Sequence, residues 1–84
     1  MKYQRRYTPE FEEALKKIKK KDQRLFERLT KKIEQIMENP EHYKPSRYHL
    51  KGTRHALVKP FIILFDVGGN LVSFHFVKHH DRAF

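Results

Sequence analysis

Two amphipathic helices in direct succession constrain the fold of this chain more than any other feature of its sequence. Apolar residues recur at three- and four-residue spacing over residues 11–18 and again over 25–37, the period of a helix that buries one face. Only Lys21-Asp22 separates the two patterns. The sequence therefore predicts an antiparallel helical hairpin.

The ends of both helices carry recognisable signals. Thr8 can cap the free backbone N–H groups of the first helix, and Pro9 suits its first turn. Asp22 can cap the second helix in the same way. Asn39-Pro40 should end it, because proline cannot continue a helix.

The second half of the chain is strand material. Residues 40–53 should be mostly loop, and three apolar segments follow at 54–59, 61–67 and 71–77. Gly68-Gly69-Asn70 indicates a hairpin, and Pro60 should mark an edge, a bulge or a turn. With a short strand at 2–7, the expected fold is α+β with the order β-α-α-β-β-β. A small antiparallel sheet would carry the helical hairpin on one face, and residues 1–84 would form one domain.

The last strand can be assigned face by face, because side chains alternate along a strand. Val72, Phe74 and Phe76 should lie under the helices. Ser73, His75 and Val77 should lie on the open side of the sheet, and the same alternation would place His79 there.

Charge gives the first functional indication. The formal net charge is +9, and seven basic residues face only two acidic ones within residues 42–84, where all six histidines also lie. Such a surface is typical of nucleic-acid binding, although an acidic protein partner would suit it as well. The chain has no cysteine, which excludes disulfides and thiolate metal sites. With no signal peptide and no membrane-length apolar run, a cytoplasmic location away from membranes is expected.

The C-terminal segment is the strongest candidate for chemistry. His79 and His80 are followed by Asp81, Arg82 and a terminal Phe84. Imidazole titrates near neutrality and can transfer the protons that RNA cleavage requires, and the 2′-hydroxyl of RNA supplies the nucleophile without a metal or other cofactor. Phe84 could stack on a base. The alternatives are a frayed polar tail and a zinc site, for which the ligand spacing is weak.

A second basic cluster precedes the first of these strands. The histidines of this cluster can transfer protons, and its cations can contact phosphates. Lys59 and Lys78, further along the chain, could contribute to the same phosphate contacts. The alternative is that the cluster is an ordinary exposed loop. The cluster comprises Arg47, Tyr48, His49, Lys51, Arg54 and His55.

The element order, the Leu50-Lys51-Gly52 step and the ending His79-His80-Asp81-Arg82-Ala83-Phe84 together resemble the RelE/ParE toxin superfamily, especially its RelE-like and YafQ-like branches. The resemblance runs over nearly the whole chain. It implies a toxin of a type II toxin–antitoxin system that cleaves messenger RNA in the ribosomal A site. It also implies an acidic cognate antitoxin as partner.

The resemblance also implies roles for particular residues. His79 or His80 would be the general acid, since each matches the histidine of one branch's ending. His49 or His55 would be the general base. Phosphate and base contacts would come from the remaining candidates, which are Arg47, Lys51, Arg54, Lys59, Lys78, Arg82 and Phe84.

One departure from the family pattern stands out. Many relatives carry an arginine early in the middle strand, where this chain has Pro60-Phe61-Ile62-Ile63. Charge stabilisation would then fall to Arg54, Lys59 or Arg82. Two other functions stay open: a ParE-like toxin that inhibits DNA gyrase without cleaving RNA, and a basic RNA-binding module without chemistry.

Overall fold

The computed structural model describes residues 2–45 and 52–80. It has the predicted α+β class and the predicted element order. The elements are β1 (Gln4–Tyr7), α1 (Pro9–Lys21), α2 (Gln23–Glu38), a 3₁₀ turn (Pro40–His42), β2 (Arg54–Val58), β3 (Phe61–Gly68) and β4 (Leu71–His79).

Both helices begin where their capping residues predict. The Thr8 hydroxyl accepts a hydrogen bond from the Phe11 N–H at 3.1 Å, and an Asp22 carboxylate oxygen accepts one from the Leu25 N–H at 3.1 Å. Each bond satisfies a backbone donor that the helix itself leaves unpaired. Helix α2 ends at Glu38, directly before Asn39-Pro40, as expected.

The four strands form one sheet in the order β1-β4-β3-β2. Strands β2, β3 and β4 form the expected antiparallel meander, but β1 pairs in parallel with β4, with Gln4 opposite Leu71. The sheet is therefore mixed rather than wholly antiparallel. A parallel neighbour needs a long crossover, and here the helical hairpin lies within the chain that separates the two strands.

The turns between the last three strands follow the glycine and proline signals. Gly69-Asn70 joins β3 to β4, and Gly69 has a φ of 59°, which glycine adopts without steric cost. Lys59-Pro60, with a cis peptide bond, joins β2 to β3.

The hydrophobic core lies between the sheet and the helical hairpin. Three phenylalanines from different elements pack together at its centre: the Phe11 and Phe74 ring centroids are 5.4 Å apart, and those of Phe65 and Phe74 are 5.8 Å apart. The helices add Leu25, Leu29, Ile33 and Ile36 from α2. In the described part of the chain, neither helix has the length and apolarity to span a membrane.

Candidate functional site

The face of the sheet opposite the helices carries two of the described candidate residues, His55 and Lys78, together with His75. Cross-strand partners share a face, so the register assigns each side chain. Ile63, Phe65 and Val72 belong to the core under the helices, and their strand neighbours therefore point to the other side. This face, here called the open face, comprises Gln4 and Arg6 (β1), His55 and Leu57 (β2), Ile62, Leu64 and Asp66 (β3), and Ser73, His75, Phe76 and Lys78 (β4). Its centre is nevertheless buried, since Ile62, Leu64 and Ser73 are each 5% exposed or less.

A β-bulge in β4 changes the faces that strict alternation predicts. Leu64 pairs with Phe76 while Phe65 pairs with Phe74, so His75 is an extra residue without a partner on β3. A bulge of this kind shifts the alternation by one position. Consecutive side chains, His75 and Phe76, consequently both lie on the open face.

Three assignments of the sequence reading are wrong for this reason. Phe76 lies on the open face rather than under the helices. Val77 lies on the helix side, where it packs against the core. His79 is paired with Phe61, also on the helix side, and the two ring centroids are 5.4 Å apart.

The N-terminus of α1 holds the bulge in place. The Thr8 hydroxyl donates a hydrogen bond to the His75 carbonyl at 2.9 Å, and the Thr8 N–H donates one to the Phe74 carbonyl at 3.0 Å. The same hydroxyl caps α1. One side chain thus fixes the helix start and the position of the bulge together.

On the open face the His75 side chain is hydrogen-bonded to Asp66, at 2.6 Å between Nε2 and Oδ2. A carboxylate can only accept, so Nε2 carries the hydrogen. The two side chains are 22% and 40% exposed, which leaves the pair within reach of a ligand. Sequence reasoning placed His75 on this face but missed Asp66, which alternation along β3 could have assigned to the same side.

Lys78 lies further along β4 on the same face. Its ammonium nitrogen stands 5.0 Å from the centroid of the Phe76 ring, a cation–π geometry. Lys78 is a predicted substrate-binding residue, and its position puts a positive charge three residues after His75 on the same face.

His55, a predicted general base, lies across the sheet from this group. It pairs with Leu64, which pairs in turn with Phe76, so two strand spacings, about 10 Å, separate the His55 and Phe76 backbones. Its backbone N–H donates to the Lys44 carbonyl at 3.3 Å. Within residues 2–45 and 52–80, the buried Nδ1 of His55 has no hydrogen-bond partner.

Arg54 points to the helix side of the sheet. One of its terminal nitrogens donates to the Tyr43 carbonyl at 2.6 Å and to the Glu41 carbonyl at 3.3 Å. It thereby ties β2 to the 3₁₀ turn and to the residue that follows it. Burial, with a contribution from nearby Glu38, raises the pKa of Tyr43. The predicted role of Arg54 at a phosphate stays a prediction.

His80 lies at the end of β4, beside the turn between β2 and β3. Its backbone N–H donates to the Pro60 carbonyl at 2.7 Å, and it lines a hollow of about 360 Å³ with Leu57, Lys59 and Pro60.

Leu57 and Lys59 also line a neighbouring groove of about 400 Å³ against α2, whose other described lining residues include Arg28, Lys31 and Lys32. This cationic groove therefore adjoins the open face along the outermost strand, β2. No acidic residue is among its described lining residues.

Five predicted site residues lie outside the described residues: Arg47, His49, Lys51, Arg82 and Phe84. Their roles stay predictions. The weaker zinc hypothesis needs His75, His79 and His80 together, whereas the bulge places His75 and His79 on opposite faces of the sheet. Within the described ranges no three histidine, aspartate or glutamate side chains are grouped to hold a metal ion.

Comparisons with known proteins identify the family. Residues 5–84 match the model of the ParE toxin of type II toxin–antitoxin systems, parDE. The chain is 32% identical over 85 aligned positions, covering 98% of it and 90% of the relative, to the protein named "Putative toxin RelE4" of Methanocaldococcus jannaschii.

Solved structures show the same fold. The toxin–antitoxin complex RelBE2 of Mycobacterium tuberculosis contains a chain that superposes with a TM-score of 0.78 at 22% identity, covering 94% of this chain and 99% of that one. A chain of the DinJ–YafQ toxin–antitoxin complex of E. coli superposes with a TM-score of 0.75 at 18% identity, covering 100% and 99%.

Proposed function

Because the chain belongs to the ParE toxin family of type II toxin–antitoxin systems, within the RelE/ParE superfamily, we propose that it is a metal-independent endoribonuclease. Its substrate is messenger RNA in the ribosomal A site. The observation that carries this proposal is the open face of the sheet. There His55 and His75 share one surface with Lys78, next to the hollow that His80 lines.

This combination suits RNA cleavage. Imidazoles can take the proton of the 2′-hydroxyl and return one to the leaving 5′-oxygen, while cations stabilise the charge that develops on the phosphate. DNA lacks the 2′-hydroxyl and would not react by this route. Phe76 and Leu57 offer apolar surface for bases beside these groups.

The individual roles follow the family pattern. His80 acts as general acid in preference to His79, because the His79 ring packs against Phe61 on the helix side. In the family pattern the general base would be His49 or His55. Phosphate contacts come from Lys59 and Lys78, with Arg47, Lys51, Arg54 and Arg82 as further candidates, and Phe84 stacks on a base.

The proposed partner is an acidic antitoxin that blocks this surface until it is removed. The RelBE2 and DinJ–YafQ structures are toxin–antitoxin complexes, and the +9 charge of this chain would complement an acidic protein. Action on translated messenger RNA places the protein in the cytoplasm.

The test is cleavage of messenger RNA on programmed ribosomes by the purified chain, freed of its antitoxin. We expect defined cuts that end in 2′,3′-cyclic phosphates. Cleavage should fall by about 10²-fold or more in the double variant His79→Ala/His80→Ala, the usual contribution of a general acid. An unchanged cleavage pattern in that variant would remove the C-terminal histidines from the mechanism.

A second candidate function has a specific observation in its favour. The matching family model is that of ParE, and Phe61 and Ile62 stand where many ribonuclease relatives have an arginine. In this alternative the chain inhibits DNA gyrase and needs no histidine. Stalled gyrase–DNA complexes with intact messenger RNA would support it. Salt-sensitive RNA binding without turnover or gyrase inhibition would instead indicate a plain binding module.

A further inference from the structure

We propose that the general base of this site is His75, positioned by Asp66, rather than a histidine of the loop or of β2. This inference rests on the proposed ribonuclease function and names a group for it that the family pattern does not supply. It is carried by the geometry of the bulge and by the 2.6 Å contact between His75 Nε2 and Asp66 Oδ2.

The bulge is what makes His75 available. In a regular strand His75 would pair with a residue of β3, and Phe76 would turn toward the helices. Here the extra residue puts His75 next to Asp66 and leaves Phe76 beside it on the same face, with Lys78 against the far side of Phe76 along the strand. Bulges occur preferentially next to active sites, where they redirect a side chain, and Thr8 fixes this one.

Asp66 determines which ring nitrogen of His75 can act. Since the carboxylate accepts the hydrogen of Nε2, the neutral ring carries its lone pair on Nδ1. Nδ1 makes no hydrogen bond to any described residue, so it can accept a proton from a ligand on the open face. A carboxylate in this position also stabilises the imidazolium that forms.

A carboxylate on a surface that binds RNA otherwise needs explanation, because it repels phosphates. Asp66 is the only acidic residue on the described open face, where Arg6 and Lys78 are the cations. Its contact with His75 accounts for its presence: it weakens RNA binding slightly while it orients the base.

The reaction step balances within this arrangement. His75 Nδ1 removes the proton of the 2′-hydroxyl, and the 2′-oxygen forms a bond to phosphorus. The bond between phosphorus and the 5′-oxygen breaks, and that oxygen leaves with a proton from solvent water or from the general acid. Lys78 stabilises the charge on the non-bridging oxygens. The products are a 2′,3′-cyclic phosphate and a 5′-hydroxyl, and His75 then returns its proton to solvent.

The decisive measurements are single-turnover cleavage of messenger RNA on programmed ribosomes, RNA affinity and thermal unfolding, for each variant of the full chain. His75→Gln keeps a donor for Asp66 but removes the base, and should lower the cleavage rate by about 10²- to 10⁴-fold with affinity unchanged. His42→Gln, which alters an exposed histidine on the 3₁₀ turn, is the matched control and should cleave normally.

Asp66→Asn distinguishes a role of Asp66 in positioning the His75 ring from a mere electrostatic effect of its charge on RNA. It removes a negative charge, so RNA should bind equally or more tightly, yet cleavage should slow by at least about tenfold because the ring loses its fixed tautomer. If Asp66 served only to repel RNA, the variant would cleave as fast as the wild type or faster. Added imidazole should partly restore cleavage to His75→Ala. If the contact between His75 and Asp66 were purely structural, imidazole would restore nothing.

The outcomes separate this inference from the proposed function. Cleavage by the wild type together with an unchanged rate in His75→Gln overturns the role of His75 alone. An intact messenger RNA with the wild type overturns both. The inference is also overturned if His75→Gln cleaves more slowly only at temperatures where the variant is partly unfolded. In that case the contact between His75 and Asp66 would stabilise the fold and take no part in catalysis.

Discussion

Thr8 uses one hydroxyl group for two hydrogen bonds, to the first turn of α1 and to the carbonyl of His75 in the bulge. An N-cap bond contributes about 1 kcal/mol, and a second, partly buried bond adds about 0.5–1.5 kcal/mol. Thr8→Val, which keeps the shape of the side chain but removes the hydroxyl, should lower the free energy of unfolding by about 1.5–2.5 kcal/mol in urea titrations.

Two variants act as controls for Thr8. Asp22→Ala removes only a cap and should lower the free energy of unfolding by about 1 kcal/mol. Thr30→Val removes a hydroxyl that bonds a carbonyl within α2 and should have little effect. A Thr8→Val loss no larger than that of Asp22→Ala would mean that the bond to His75 contributes nothing.

Single residues also show which side-chain contacts can be predicted from sequence and which cannot. Thr8 and Asp22 are recognisable as caps because their partners lie three residues away. The partners of Arg54 are backbone carbonyls of Glu41 and Tyr43, which no spacing in the sequence identifies. Arg54 therefore resembles a phosphate-binding residue in the sequence, while in the structure it holds two segments of backbone together.

Among the elements, β1 is the strand whose own residues predict its position in the sheet least well. It lies at the sheet edge beside β4, and its Arg5 reaches across to Glu34 of α2 with two hydrogen bonds of 2.7 and 2.9 Å. The Arg5 guanidinium holds the pKa of Glu34 below its usual range. Both side chains are exposed, at 38% and 62%, so solvent screens the pair.

Glu34→Gln should therefore lower the free energy of unfolding at pH 7 by no more than about 1 kcal/mol. A lowered folded-state pKa contributes stability above the unfolded-state value of about 4.3, and that contribution is lost as pH falls through the folded-state pKa. Wild type and variant should converge in chemical unfolding at low pH. A double-mutant cycle with Arg5→Gln isolates the pair; zero coupling at pH 7 would contradict the assignment.

The elements also show which parts of the fold a sequence can reveal. Helices α1 and α2 were predictable because their periodicity and caps are local. The parallel pairing of β1 with β4 and the bulge at His75 were not, since both depend on the register between segments far apart in the chain. One inserted residue reverses every later side chain of a strand, which is why Phe76, Val77 and His79 were assigned to the wrong faces and His75 was not.

At the scale of the whole molecule, positive charge is abundant but unevenly placed relative to the proposed site. The cationic groove with Arg28, Lys31 and Lys32 adjoins the open face through Leu57 and Lys59. The cations of α1, such as Lys16 and Lys20, lie on a helix that covers the other face. If RNA occupies the open face, the groove is the nearest place for its flanking phosphates.

The double variants Lys31→Gln/Lys32→Gln and Lys16→Gln/Lys20→Gln remove the same charge from these two places. Single-stranded RNA affinity should fall with salt for every form, with a slope of about 0.7 per phosphate contact. The groove variant should lose affinity and reduce that slope by about 1–1.5, whereas the α1 variant should change both only slightly. Equal effects would mean that RNA responds to net charge alone, and the link between the groove and the open face would then fail.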